Sequence, residues 1–463
     1  MFQEKNQPSQ QQIKHSSAWR WHFYAGLYVV PFMIMLSITG LVMLYDDVIE
    51  DAQYGAILNI EAQQTRISLE QQLSNVQLSY PDASIKQYIT PENSERVARF
   101  AIVSASGQGL FVTINPYTGD ILGKIDRDNS IYNWANGIHG TLLIGENGDR
   151  LIEIAASLMV ILIVSGLYLW WPTDNASKAG LFKLRLSSGK RIFWRDLHAN
   201  LGLVTSVFLL FFVISGLSWA GVWGEKIVQP WNSFPAEKWN NVPLSDKTHA
   251  SMNHDVLEEV PWNLEQTKLP LSGSQMGIDA IPMGQVNLGS VVAYATQIGL
   301  TRFKVNIPTK ADGVYTLSAN TMSGDITDAR EDRTLHIDQF SGKVLADIGW
   351  AEYSLMAKSM AAGIALHQGD MGLWNRILNT LLCLTFILIA VSGVIMWWTR
   401  RTSSDKWLAA PVKVAPSPRW LSAIIITSLL ALMFPLAAGA IAFIWIMDKL
   451  LISRVAKFSY HLK

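Results

Sequence analysis

The chain has 463 residues, 49% hydrophobic and only 16% charged, with 18 Trp, a balance that belongs to a membrane protein rather than a soluble enzyme of this length. Its 37 Lys and Arg are matched by 37 Asp and Glu, so no net basic field exists to attract nucleic acid. The single cysteine, Cys383, excludes an intramolecular disulfide, a Cys-ligated zinc site and Cys-ligated iron–sulfur clusters.

An N-terminal tail, 1–18, leads into a first span assigned to 19–45, within which 23–45 carries no Asp, Glu, Lys or Arg. That run is too long for a signal-peptide core and no small-residue cleavage site follows it, so a retained helix is expected. Segment 46–150 is mixed: residues 68–78 read as a short amphipathic helix, and 111–123 alternate about Gly119 as a β-hairpin. Three further spans are assigned to 151–172, 197–224 and 371–399, each with a charge-free run long enough to cross a bilayer, which takes about 20 residues. Segment 225–370 repeats the hairpin pattern at 335–346, about Gly342. The connections 173–196 and 400–418 are basic, with Lys183, Arg185, Arg195, Arg400 and Arg401 among their charges. By the positive-inside rule they and the N-terminus are cytoplasmic, and 46–150 and 225–370 face the periplasm of a bacterial inner membrane. A last hydrophobic segment, 419–448, is divided by Pro435 and followed by a basic tail, 449–463. It reads as either a kinked fifth span or a re-entrant hairpin.

The chain reads as written twice. His22 precedes Gly40 by 18 residues and His198 precedes Gly216 by 18; Gly26 and Gly202 each follow their histidine by four; Trp19-Arg20 and Trp194-Arg195 come just before. In the second helices His139 precedes Gly166 by 27 residues and His367 precedes Gly393 by 26, and Trp170-Trp171 and Trp397-Trp398 end the spans. The expected fold is therefore an α-helical membrane protein built from a duplicated unit of helix, small α+β domain and helix. It has four core spans plus the fifth segment.

Duplication sorts four histidines into two pairs, His22 with His198 at the cytoplasmic face and His139 with His367 at the exported face. A histidine at a membrane boundary can simply anchor a helix end, but two pairs at two levels point to two sites. Two imidazoles suffice for the axial positions of a haem iron, which suits electron transfer, whereas a zinc site would need further ligands. Gly26 and Gly202 lie on the faces of His22 and His198, where a missing Cβ would let a flat macrocycle approach the backbone. They would equally permit close helix packing. The expectation is two haem b, with His22, His198, His139 and His367 as iron ligands. His249 and His254 read as surface-loop residues, His336 as a structural residue on a strand, and His15 and His461 as tail residues. No phosphate-binding loop, dinucleotide fingerprint or nucleophile elbow is present, so electrons would come from quinol or a separate cytoplasmic reductase.

The set of Trp19-Arg20-x-His22, Trp194-Arg195-Asp196-Leu197-His198, His139, His367 and the turns Asn115-Pro116-Tyr117-Thr118-Gly119-Asp120 and Asp338-Gln339-Phe340-Ser341-Gly342-Lys343 resembles the PepSY-associated transmembrane family over residues 18–400. That group includes inner-membrane ferric-siderophore reductases and iron-regulated membrane proteins. The resemblance implies PepSY-like domains at 46–150 and 225–370, and a dihaem oxidoreductase that reduces Fe(III) held by a siderophore or other chelate, releasing Fe(II) in the periplasm. Two alternatives come from other classes. One is a membrane-anchored sensor or peptidase-inhibitory protein whose PepSY-like domains capture a peptide; the other is a copper or ferrous-ion transporter, disfavoured because no acidic or Met ligand lies mid-span beside the histidines.

Overall fold

A computed structural model describes residues 9–172, 182–229, 242–252, 261–401, 411 and 421–447. Helix α1 (Gln10–Leu44) gives way at Tyr45 to α2 (Asp46–Leu58); α3 (Leu69–Ser79) precedes strands β1 (Ser84–Ile89), β2 (Ala98–Val103), β3 (Gly109–Ile114) and β4 (Ile121–Asp126). Then come α4 (Ile131–Thr141), α5 (Glu146–Trp170) and α6 (Lys190–Leu217). Strands β5 (Leu244–Thr248), β6 (Lys268–Pro270) and β7 (Ile278–Asp279) lead to α7 (Leu288–Gln297), β8 (Lys304–Asn306), β9 (Val314–Ala319), β10 (Arg333–Asp338) and β11 (Lys343–Gly349). Helices α8 (Leu355–Gln368), α9 (Leu373–Arg400), α10 (Leu421–Met433) and α11 (Pro435–Met447) follow. The chain divides into a helical unit, Met1–Leu41, Gly137–Ile227 and Asn379–Lys463, and a sheet unit, Val42–Asn136 and Val228–Leu378.

In the helical unit α1, α5, α6 and α9 are long and apolar enough to cross a membrane. Pro31 lies inside α1, as membrane helices tolerate. Helix α6 stops at Leu217 rather than running to 224, because two carboxylates of α5 take the next backbone donors. Asp149 accepts from the N–H of Gly221 at 3.1 Å and Glu153, fully buried, from that of Val222 at 3.1 Å. The fifth segment breaks at Phe434, and each 13-residue piece rises only about 20 Å.

In the sheet unit a helix followed by four antiparallel strands occurs twice, α3 with β1–β4 and α7 with β8–β11. Ser68 caps α3 and Asn287 caps α7 with a capping box, satisfying first-turn donors that a helix leaves orphaned. The sequence treats these segments as two domains. Their strands instead join in one nine-stranded sheet, β4-β3-β2-β1-β8-β9-β10-β11-β7, sewn at β1–β8 by Gln87↔Asn306, Tyr88↔Val305 and Ile89↔Lys304. Helices α3 and α7 cover one face over a core that includes Phe100, Ile114, Val291, Leu317 and Ile337. On the other face α2 covers Val97, Ala101, Phe111 and Ile125 through Leu58, and is tied down by Arg99 to Glu50 at 2.8 Å and Arg96 to Asp51 at 2.6 Å. At the far end α8 and the 3₁₀ turn Trp262–Leu264 cover Ala346 and Ile348.

Both expected hairpins form, β3–β4 and β10–β11, and both carry a register shift at the same place, between Thr113 and Ile114 and between His336 and Ile337. Their turns need the left-handed backbone at Gly119 (φ +80°) and Gly342 (φ +70°), which glycine alone adopts without strain. At both turns an added Cβ would also collide, with Asn75 Nδ2 at 2.6 Å and with the Ile281 carbonyl oxygen at 2.2 Å.

Candidate functional site

The helical unit holds His22 on α1, His139 on α4 and His198 on α6, all half-buried. His22 and His198 come together as the duplication predicts: their ring centroids are 6.2 Å apart with planes at 89°. Two imidazoles on one metal at ~2.0–2.1 Å, with each ring centre ~1.2 Å behind its nitrogen, would stand ~6.4 Å apart. The observed separation is close to that value.

Each ring is held by its rear nitrogen. The Ser165 hydroxyl donates to the Ile161 carbonyl at 2.6 Å, so its oxygen accepts at 3.0 Å from His22 Nδ1. The Ser392 hydroxyl likewise donates to the Ile389 carbonyl at 2.7 Å, and His198 Nδ1 donates to the same pair, at 3.0 Å to Ser392 Oγ and 3.1 Å to Ile389 O. His139 repeats the device on α1: the Thr39 hydroxyl donates to the Met35 carbonyl at 2.9 Å and accepts from His139 Nδ1 at 2.9 Å. A neutral imidazole carries one N–H, so a proton fixed on Nδ1 leaves the lone pair on Nε2. That is the tautomer metal-ligating histidines take, with the other ring nitrogen held by an outer partner.

A glycine follows each hydroxyl residue, and the imidazole lies over it. An added Cβ on Gly166 would be 3.2 Å from His22 Cε1, on Gly393 3.4 Å from His198 Cε1, and on Gly40 3.7 Å from His139 Cε1. These Ser/Thr-Gly steps hold the imidazoles, and the sequence reading used only their glycines, as landmarks. Their signal was present: Thr39-Gly40, Ser165-Gly166, Ser215-Gly216 and Ser392-Gly393 recur once per span, and the Ser215 hydroxyl makes the same bond back along its helix, to Phe211 O at 2.7 Å. Gly26 and Gly202, read from the sequence as room for a flat macrocycle, lie one turn along from His22 and His198. A Cβ on Gly26 would only touch Leu162 at 3.8 Å, and one on Gly202 would meet nothing within 4 Å, so open space lies beside His198 one turn along.

Near His198, Asp196 is buried and paired with Arg185 through two bonds of 2.7 and 2.8 Å and with Arg195 at 3.0 Å. The Trp-Arg-Asp-Leu-His run therefore anchors the start of α6. The Arg400 guanidinium lies over Trp19 and Phe23, at 5.1 and 5.7 Å from the ring centres.

His367, the fourth histidine, belongs to the sheet unit. It lies half-buried near the C-terminal end of α8, which Ser354 caps at its start and Gly369 (φ +92°) ends. Of two other histidines in that unit, His336 is on a strand as expected, while His249 overturns expectation. His249 is fully buried rather than in a surface loop, and its Nε2 is 2.9 Å from Nε2 of His336, also fully buried on β10. His15 is exposed on α1; His254 and His461 lie outside the described residues. Among the described residues no group of three or more His, Cys, Asp or Glu side chains converges as a metal site.

The model of the PepSY-associated TM region matches residues 19–400, which includes all four histidines and every Ser/Thr-Gly step. The chain belongs to the PepSY-associated transmembrane family. No curated protein matches it. As a family member it is a membrane protein, and the match ends where α9 ends, before the broken fifth segment.

Proposed function

We propose that this PepSY-associated protein is a duplicated, dihaem b-type electron-transfer protein of the bacterial inner membrane. It takes electrons from quinol or a cytoplasmic reductase and reduces Fe(III) held by a siderophore or other chelate in the periplasm, so that Fe(II) is released. The observation that carries this reading is the His22–His198 pair: two rings 6.2 Å apart, each with Nδ1 bonded to a serine of a neighbouring helix. Held by His22 and His198, a haem would supply one-electron chemistry.

The protein's own part is to hold the imidazoles still and in one tautomer. Ser165 and Ser392 fix the proton on the rear nitrogen, Gly166 and Gly393 let the rings lie against the helices, and Asp196 with Arg185 sets the start of the helix bearing His198. His139 carries the same device on Thr39, which supports its use as a second ligand site. The sequence assigns His367 as its partner. Along α1, His22 and Thr39 are 17 residues apart, a rise of about 25 Å. The two levels are thus nearer than the ~35 Å that the run from His22 to Tyr45 suggests.

Matched hairpins, matched register shifts and the repeated helix-plus-four-strand order support the duplication. The basic connections support a cytoplasmic N-terminus and periplasmic sheet strands. The test is spectroscopic: detergent-solubilised protein is expected to show reduced b-type Soret and α bands, which are lost in part in His22→Ala and His198→Ala. A folded sample without haem would reject the reading.

A further inference from the structure

The sheet unit buries a polar row that the electron-transfer reading does not use. From Asp332, just before β10, the alternate positions Thr334, His336 and Asp338 of the strand continue the row, each almost fully buried. In the first hairpin the positions that match by register about the turn glycine are Gly109, Phe111, Thr113 and Asn115. The ionisable groups are thus peculiar to the second.

At the centre His249 meets His336, and the hydrogen bonds fix every proton. His249 Nδ1 faces the Thr267 carbonyl at 2.7 Å, and a carbonyl can only accept, so His249 carries its proton on Nδ1 and its lone pair on Nε2. His336 Nε2 therefore donates across the 2.9 Å gap, and His336 Nδ1 accepts from the Thr316 hydroxyl at 2.9 Å. This chain can be rewired without gain or loss of a proton. If the His336 proton moves to Nδ1, the Thr316 hydroxyl turns to accept it, and both Nε2 lone pairs then face the same point.

A third candidate donor lies one 3₁₀ turn along the chain from His249. His249 opens the 3₁₀ turn His249–Met252, in which side chains at i and i+3 eclipse, so Met252 follows the face of His249. Met252 packs on the cluster containing Ala346, and Ala346 is the cross-strand neighbour of His336. Two neutral imidazoles and a thioether are a soft, uncharged donor set, suited to copper(I) rather than to zinc, magnesium or calcium. Burial keeps the imidazoles uncharged, lowering His249 to about 4 and holding His336 well below the usual imidazole range.

We propose that His249, His336 and Met252 form a binding site for a soft monovalent cation of the copper(I) class in the sheet unit. Entry requires the rings to part by only about half an ångström, from 2.9 Å towards the ~3.5 Å of two nitrogens on one trigonal metal. The bonds to Thr267 and Thr316 then serve as the outer shell that orients the ligands. None of these residues is a haem ligand in the reading above, so either proposal can fail alone.

The experiment titrates copper(I), under anaerobic reducing conditions, into the full-length haem-replete protein against a chromophoric copper(I) chelator. The wild type is expected to take one copper(I) per chain at this site. His336→Thr, which installs the residue of the first hairpin, is expected to abolish that binding, and Met252→Leu, which keeps an apolar side chain of similar size, to weaken it ~10-fold or more. X-ray absorption of the wild type would show a sulfur scatterer at ~2.3 Å, absent in Met252→Leu. Equal copper(I) affinity in all three proteins would overturn the proposal, as would zinc(II) bound as tightly as copper(I) by the same residues. Met252→Leu with an unchanged melting temperature but weakened copper(I) binding separates a ligand from a packing residue.

Discussion

Histidines serve the two units in opposite ways. In the helical unit His22, His139 and His198 are each tied by Nδ1 to a serine or threonine, leaving Nε2 turned away from its anchor. In the sheet unit His249 and His336 bond Nε2 to Nε2, so each ring satisfies the other. The same side chain is thus anchored by a hydroxyl in one setting and by a second imidazole in the other. The difference follows from what lies behind the ring, a back-bonded hydroxyl beside a glycine on a packed helix, or a strand neighbour and a loop carbonyl inside a closed core.

The largest expected effect breaks the first arm of this comparison. Replacing His22 or His198 with alanine should remove one of two haems per chain, read by a pyridine haemochrome assay, whereas His336→Thr should leave both. A smaller effect sharpens it. Ser165→Ala and Ser392→Ala leave the ligand in place but release its rear proton, and outer-shell losses of this kind cost 10–100-fold in metal affinity. Haem retention during dilution would measure this, with Thr113→Ala in the sheet as the silent control.

The second arm is tested by acid. An unfolded histidine takes a proton near 6.5, but His249 stays neutral in the folded chain down to about 4 because burial disfavours its charge. Between those values the unfolded chain binds more protons, so stability falls as the pH is lowered. Asp332 opposes this: burial, the largest cause, raises its carboxyl to about 7 from 3.8. The folded chain therefore holds the extra proton between about 4 and 7, and that contribution is lost as the pH rises. Asp332→Asn should expose the histidine term, giving a steeper loss of sheet-unit stability from pH 6.5 to 4 by hydrogen exchange in β10. No such steepening would mean that the dyad is not held neutral by its burial.

The smallest effect concerns the paired helices. Removing the α3 cap in Ser68→Ala should cost about 1 kcal/mol, and Asn287→Ala at α7 at least as much, because Asn287 sits in a two-way capping box. Chemical denaturation would compare them.

How much of this was legible depended on the range of the interaction. The four spans, α3 and both hairpins follow from charge-free length, helical period and turn glycines, all local signals. The joining of β1 to β8 was hidden, because β8 is three residues long and its pairing with Gln87 spans more than two hundred positions. The grouping of His22 with His198 was readable from equal spacing to Gly40 and Gly216. The Ser/Thr-Gly anchors were not, since a serine inside an apolar helix shows its partner only once another helix packs on it. His249 misled for a similar reason: its neighbours Thr248, Ser251 and Asn253 suggest surface, and only the tertiary approach of His336 makes it core.

The central claim is that His22 and His198 face one another across a haem iron. Its most direct test is low-temperature electron paramagnetic resonance of the oxidised, detergent-purified protein beside His198→Ala. The account predicts two low-spin ferric signals of bis-histidine type, one of which disappears in the variant while the other persists. Two unchanged signals in His198→Ala, or a folded wild type with none, would contradict it.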